Sequence, residues 1–92
     1  MNELQQRLWG RMIVEIESFL EKEGSLNKLV NDLEGLFLAG EFKDEKLKND
    51  WYEKWGELET INAIALDKNK KVEFDKAKPL LEEMKKHLIS LQ

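Results

Sequence analysis

Hydrophobic residues recur at helical spacing along the chain and divide it into four segments. The first extends from about Asn2 to Glu23, and Gly24 follows at a position where helices often end. The second begins after Ser25, a favourable N-cap residue, and ends near Gly40. The predicted inner faces are Leu8, Trp9, Met12, Ile16, Phe19 and Leu20 in the first helix, and Leu26, Leu29, Val30, Leu33, Leu36 and Phe37 in the second.

A third and longer segment follows the loop of residues 40–43. Asp44 is its predicted N-cap, with an acidic residue in the first turn, and the helix is expected to end near Leu66. Phe42, in the loop, is expected to close the end of a helical bundle. The predicted inner face consists of Leu47, Trp51, Trp55, Leu58, Asn62 and Ala65.

The fourth segment follows a polar turn over residues 67–71. Val72 and Phe74 are expected to pack the corner, and a short turn over residues 75–78 to precede the helix. Pro79 is placed early in that helix, because an interior proline costs about 3 kcal/mol. The predicted inner face is Leu80, Leu81, Met84, Leu88 and Leu91. Short connections between four amphipathic helices predict an all-α, antiparallel four-helix bundle of up-down topology, formed by residues 1–92 as a single domain.

Composition restricts the class of protein further. Hydrophobic residues make up 41 % of the chain and charged residues 37 %, which is typical of a folded domain and not of a disordered one. Cysteine is absent, so disulfides and thiol catalysis are excluded. The N-terminus lacks the pattern of a signal peptide, and no apolar stretch reaches the length of a membrane span. We therefore expect a cytoplasmic protein without a membrane partner.

Candidate catalytic and metal-binding residues are few. The one histidine, His87, lies four residues after Glu83, a spacing that favours a surface pair over a metal site. Asp67-Lys68-Asn69 resembles the opening of a calcium loop. Position six of that loop, however, would be Val72 instead of glycine, and position twelve would be Lys78 instead of glutamate. We expect no catalytic residue, no metal, no cofactor and no enzyme activity.

Charge is distributed unevenly along the chain. Residues 31–60 carry nine acids and four bases, whereas residues 61–92 carry five and seven. Tyr52 projects about 100° or more from the predicted inner face, with Glu45, Glu53 and Glu59 as neighbours. An exposed aromatic among carboxylates is typical of a surface that binds a basic partner. The candidate partner-binding residues are Asp44, Glu45, Asp50, Tyr52, Glu53, Gly56, Glu57 and Glu59.

Three glycines lie inside predicted helices, where each costs up to about 1 kcal/mol relative to alanine. They are Gly10, Gly35 and Gly56. Helical angles place all three away from the inner faces. One interpretation is that Gly35 and Gly56 leave bare backbone at which a partner approaches closely. The other is that they are tolerated surface glycines, or that they mark a closer contact between helices.

The chain resembles a group of small bacterial helical proteins in three short segments, in Trp51 and in a closing helix rich in Leu, Lys and Glu. The three segments are Leu29–Glu34, Trp55–Glu59 and Ala63–Asp67. The proteins that it resembles are the immunity proteins of the colicin D type and of contact-dependent growth inhibition systems. The resemblance covers roughly residues 26–90. It implies an intracellular antitoxin without catalysis, which binds the nuclease domain of a toxin, often one that cleaves tRNA, and occludes its active site.

Two other classes of function remain open. A homo-oligomeric structural or adaptor protein would use an apolar surface, for which Val14, Leu38, Ile64 and Ile89 are candidates because they lie off the inner faces. A nucleic-acid-associated regulator would rely on the lysines of residues 68–78, but no aromatic residues alternate with them. We expect no direct nucleic-acid ligand, and a monomer or weak homodimer when the protein is free.

Overall fold

The computed structural model describes residues 2–22, 24–67 and 74–90, which form four helices and, within these ranges, no strand. The helices are α1 (Glu3–Lys22), α2 (Leu26–Ala39), α3 (Glu45–Asp67) and α4 (Phe74–Ser90). Helix α1 packs against α2 and α4, and α3 packs against the same two helices. The four helices therefore surround a shared core, and the predicted all-α four-helix bundle is confirmed.

The N-caps of α2 and α3 are formed by the predicted residues. Ser25 Oγ accepts a hydrogen bond of 3.2 Å from the backbone N–H of Lys28. Asp44 Oδ1 accepts one of 3.0 Å from the backbone N–H of Leu47. Each side chain thus satisfies an N–H that has no partner within the helix. At the other end of α2, Gly40 is the C-cap residue, as its sequence position suggested.

The core confirms most of the predicted inner faces. Six predicted positions remain only half-buried: Leu8, Leu20, Leu36, Leu47, Trp55 and Leu80. Ile13 and Ala77 are buried although neither was predicted. Ile13 widens the buried face of α1, which packs against two helices. The buried residues are Trp9, Met12, Ile13, Ile16, Phe19, Leu26, Leu29, Val30, Leu33, Phe37, Phe42, Trp51, Leu58, Asn62, Ala65, Ala77, Leu81, Met84 and Leu88.

The predicted start of the last helix was wrong. Helix α4 begins at Phe74, so Pro79 lies inside it and the expected turn over residues 75–78 is helical. Proline lacks the N–H that would bond to the carbonyl of residue 75, which lies in the exposed first turn. Ala77 is completely buried and anchors that turn to the core. The predicted packing of Val72, of Leu91 and of the Phe74 side chain lies outside what the structure describes.

Contacts between helices indicate their relative directions. Phe37, near the end of α2, stacks on Trp51, near the beginning of α3, with ring centroids 4.1 Å apart. At the opposite ends of the same helices, Asn62 Nδ2 donates to Asn27 Oδ1 at 3.0 Å. Such pairings are those of antiparallel neighbours. The up-down order of the whole bundle stays a prediction, which these pairings favour.

Candidate partner-binding surface

An aromatic cluster fills the end of the bundle next to the loop between α2 and α3. Phe42 lies over Trp9 and Phe37, with ring centroids 5.2 and 4.9 Å apart respectively. Trp51 stacks on Phe37 and lies 6.0 Å from Trp55 with nearly parallel rings. Phe42 is 7 % exposed, which confirms that it closes this end of the bundle. The cluster holds the start of α3, and with it several of the candidate binding residues, against α2.

Tyr52 belongs to this cluster, and its predicted full exposure was wrong. Its ring is half-buried and makes an edge contact with Phe37, with the ring centroids 5.3 Å apart. It is also nearly perpendicular to the rings of Trp51 and Trp55. Helix α3 packs against two helices, so the part of its surface that contacts other helices is wider than the inner face predicted from the sequence. The Tyr52 hydroxyl is not buried and makes no hydrogen bond within the described residues.

The carboxylates of α3 do not form one face around Tyr52. At about 100° per residue, Glu45 and Glu59 lie within about 20° of Tyr52, on the flank that faces α2. Asp50 and Glu57 lie about 140–160° from Tyr52, and Glu53 lies about 100° from it. We call Asp50, Glu53 and Glu57 the outer acidic row. The sequence predicted that these carboxylates and Tyr52 share one binding surface, but on the helix the carboxylates form two separate groups.

Several acids of the bundle form ion pairs, whereas the outer acidic row does not. Within each of α1 and α2, carboxylates pair with bases on the same helix, as in Glu3–Arg7 at 2.6 Å and Asp32–Lys28 at 3.1 Å. The Asp32 carboxylate also raises the pKa of Lys28, through a hydrogen bond and by direct attraction. No member of the outer acidic row makes an ion pair among the described residues. Residues 49–67 hold five acids and one lysine, a charge of −4 that equals the net charge of the chain.

Other candidate acids have local structural roles. Glu45 lies 3.6 Å from Lys48 Nζ and so is partly neutralised. Asp44 caps α3 and also lines a cleft of about 620 Å³ at the end of the bundle, together with Leu4 and Phe42. Glu59, on the flank of Tyr52, is exposed and within the described residues neither caps a helix nor makes an ion pair. Asp44 and Glu45 are therefore weaker candidates for partner binding than Glu59.

The glycines inside helices are explained only in part. A Cβ atom at Gly35 or Gly56 would meet no other atom within 4 Å, so close helix packing does not require glycine at either position. The carbonyl of Gly56 accepts a hydrogen bond of 2.9 Å from Thr60 Oγ1. Gly10 is half-buried. The open space at Gly56 argues against a closer contact between helices, and both the approach of a partner and a tolerated surface glycine remain as interpretations.

The contacts between α2 and α3 define a second surface, which the sequence analysis did not recognise. Trp55 Nε1 donates to the backbone carbonyl of Val30 at 3.0 Å, and Asn62 bonds to Asn27. The flank of α2 that faces α3 is therefore formed by positions 27, 30, 34 and 37. The matching flank of α3 is formed by positions 52, 55, 59 and 62. The spacing of three and four residues was a signal available in the sequence. We call the exposed edge of this contact the α2–α3 groove; its residues are Glu34, Leu38, Tyr52, Trp55 and Glu59.

Metal-binding clusters are not found in the described part of the chain. No group of three or more His, Asp or Glu side chains there could hold a metal ion. The Nε2 atom of His87 is buried without a hydrogen-bond partner, and the expected pair with Glu83 is not formed.

None of the helices in residues 2–22, 24–67 and 74–90 combines the length and apolar character of a membrane span. Comparison with protein-family models, with curated protein sequences and with solved structures finds no match to this chain.

Proposed function

We propose that this protein is an immunity protein, which binds and neutralises the nuclease domain of a toxin through the acidic surface of α3. The outer acidic row is the observation that carries the proposal, because its three carboxylates have no ion-pair partner among the described residues. A nuclease site holds phosphates and is therefore rich in Lys and Arg. An acidic helix complements such a site, which raises the association rate and the specificity of binding.

The sequence resemblance described above supports the same function and adds its setting. It implies an antitoxin that acts inside the cell by occluding an active site and performs no catalysis. In this proposal the protein is cytoplasmic, has no cofactor and binds no nucleic acid directly. Tyr52 would contribute affinity through its open hydroxyl and exposed ring edge, while the rest of its ring is held by the core.

Affinity capture followed by an enzymatic assay tests this function. Tagged protein is used to capture partners from its native cells at low and high salt, and the captured proteins are identified by mass spectrometry. We expect a basic nuclease whose recovery falls at high salt, and whose cleavage of RNA or DNA is inhibited by one equivalent of this protein. Recovery of partners without nuclease activity, or undiminished cleavage in the presence of this protein, would contradict the proposal.

A matched pair of charge reversals tests the surface. Glu53→Lys with Glu57→Lys changes the charge of the outer acidic row by +4, and we expect at least about tenfold weaker binding, equivalent to about 1.4 kcal/mol. The control is Glu82→Lys with Glu83→Lys, which makes the same change at two exposed positions of α4. Equal effects of the two pairs would mean that only net charge matters, and that the α3 surface is not the binding site.

A homo-oligomeric structural or adaptor protein is the second candidate function. The supporting observation is that six large apolar side chains are between 49 and 61 % exposed, on all four helices. They are Leu4, Val14, Leu38, Ile64, Leu66 and Ile89. Light scattering over a range of concentrations distinguishes the two functions, since a stable dimer favours the adaptor and a monomer favours the antitoxin.

A further inference from the structure

The α2–α3 groove combines apolar and acidic side chains in a way that the outer acidic row does not. Leu38 is 59 % exposed and lies four residues after Glu34, so the two side chains share the flank of α2 that faces α3. Tyr52 and Trp55 are half-buried and each presents part of an aromatic ring. Trp55 is fixed by its bond to the Val30 carbonyl. The two aromatic rings of the groove are therefore held by the core, and Leu38 adds an exposed aliphatic side chain beside them.

Two carboxylates border these apolar side chains. Glu34 lies on the α2 flank between the contact positions 30 and 37, and Glu59 lies on the α3 flank between positions 55 and 62. Neither acid makes an ion pair among the described residues, and the five residues of the groove include no base. The local charge of −2 disfavours an acidic occupant and a second copy of this groove, since like charges would be brought together.

We propose that the α2–α3 groove is the anchoring site for the partner, and that it receives an aliphatic side chain flanked by Lys or Arg on a basic protein. This inference rests on the proposed function and assigns its centre of affinity. The aliphatic side chain contacts Leu38 and the exposed edges of Tyr52 and Trp55, while the flanking bases pair with Glu34 and Glu59. The outer acidic row then attracts the partner from a distance without supplying the central contact.

The arrangement has the features that distinguish binding hot spots from neutral contacts. A pre-positioned aromatic residue loses little conformational freedom when it binds, because its ring is already fixed by its neighbours. Carboxylates at the border of an apolar contact are partly shielded from water once the partner is seated. The open hydroxyl of Tyr52 provides one donor and acceptor at the centre of the same contact.

Site-specific photo-crosslinking tests the proposal in the full-length protein. A benzophenone amino acid replaces Leu38 in the groove, Glu53 in the outer acidic row, or Val14 on α1. Val14 is the matched control because it is 61 % exposed, close to the value for Leu38. Each variant is expressed in the native cells, irradiated, and analysed by mass spectrometry after washing at low and high salt; circular dichroism verifies folding.

We expect the probe at position 38 to crosslink an aliphatic residue next to Lys or Arg on a basic protein, and the probe at position 14 to give none of this product. Crosslinking of that protein from position 53 but not from position 38 would overturn the groove and leave the proposed function intact. A crosslink from position 38 to a second copy of the chain would overturn the assigned occupant. The absence of a basic protein at every position would contradict both proposals.

A pair of substitutions measures the energetic share of the groove with the same partner. Leu38→Lys places a positive charge where the basic partner should dock, and we expect binding to weaken at least about tenfold. Val14→Lys makes the same change outside the groove, and we expect less than about a twofold effect. Equal affinity of the two variants would overturn the groove as the anchoring site.

Discussion

Gly40 lies under the ring of Phe42, so replacing it with alanine should destabilise the bundle end. The backbone of Gly40 has φ −76° and ψ −15°, a right-handed geometry that alanine adopts without strain. A Cβ atom at this position, however, would lie 2.8 Å from Phe42 Cζ and closer still to Cε2. The ring would have to move, and it is already packed between Trp9 and Phe37.

Two opposing effects set the magnitude of this change. Alanine restricts the unfolded chain more than glycine does, which by itself would stabilise the protein by about 0.4–1 kcal/mol. Forcing an extra methyl group into a packed site costs about 1–3 kcal/mol. Phe42 is only 7 % exposed and packs on Trp9 and Phe37, so any movement of its ring disturbs those contacts. The steric cost is the larger effect, and we expect Gly40→Ala to reduce the free energy of unfolding by about 1–2 kcal/mol.

Urea and thermal unfolding, followed by far-UV circular dichroism and tryptophan fluorescence, measure this loss. For a chain of this size it corresponds to a Tm lowered by about 5–15 °C. Phe42→Leu provides the internal test: with the smaller side chain in place, the cost of Gly40→Ala should fall below about 0.5 kcal/mol. Unchanged or increased stability of Gly40→Ala, or an equal cost in both backgrounds, would refute the proposed contact.

Three further substitutions probe other parts of the fold. Gly56→Ala should raise the free energy of unfolding by about 0.5–1 kcal/mol in urea titrations, because the added Cβ meets open space; a loss would reveal a contact that the structure lacks. Trp55→Phe removes the bond to the Val30 carbonyl and should cost about 0.5–1.5 kcal/mol in the same assay, and an unaffected midpoint would argue against that bond. Pro79→Ala should increase Tm by restoring a backbone hydrogen bond in α4, with a gain of up to about 3 kcal/mol; lower stability would show that proline restricts the unfolded chain more than it disrupts the helix.

The spacing of apolar residues was sufficient to predict the four helices because each has a periodic buried face. Ser25 and Asp44 were recognisable as N-caps, since a side-chain oxygen before an apolar run satisfies the first free N–H groups. The start of α4 was not predictable by the same reasoning. Proline is usually excluded from helix interiors, but here Pro79 lies on the exposed side of α4 and buried Ala77 packs the turn before it against the core.

Tyr52 shows why the candidate surface was harder to predict than the fold. The predicted inner face of α3 correctly included Trp51. It gave no information, however, about how much of the α3 surface the neighbouring helix covers. Phe37 reaches Tyr52 from α2, a contact between residues 15 positions apart in the sequence that only the packed structure reveals. The position of Glu34 beside the same groove depends on this contact between helices and could not be deduced from the charge of α3.

The contact between α2 and α3 is unusually polar for a bundle interior, and this bears on the proposed groove. Asn62 is 5 % exposed and donates to Asn27, while its own Oδ1 atom is buried without a partner. Leucine at position 62 would avoid this cost, because an unsatisfied buried oxygen costs about 1–3 kcal/mol. A buried amide accepts few alternative partners, so Asn62 fixes the alignment of the two helices at the expense of stability. In this bundle that alignment sets Tyr52 against Phe37, and it thereby fixes the aromatic edge on which the proposed anchoring site depends.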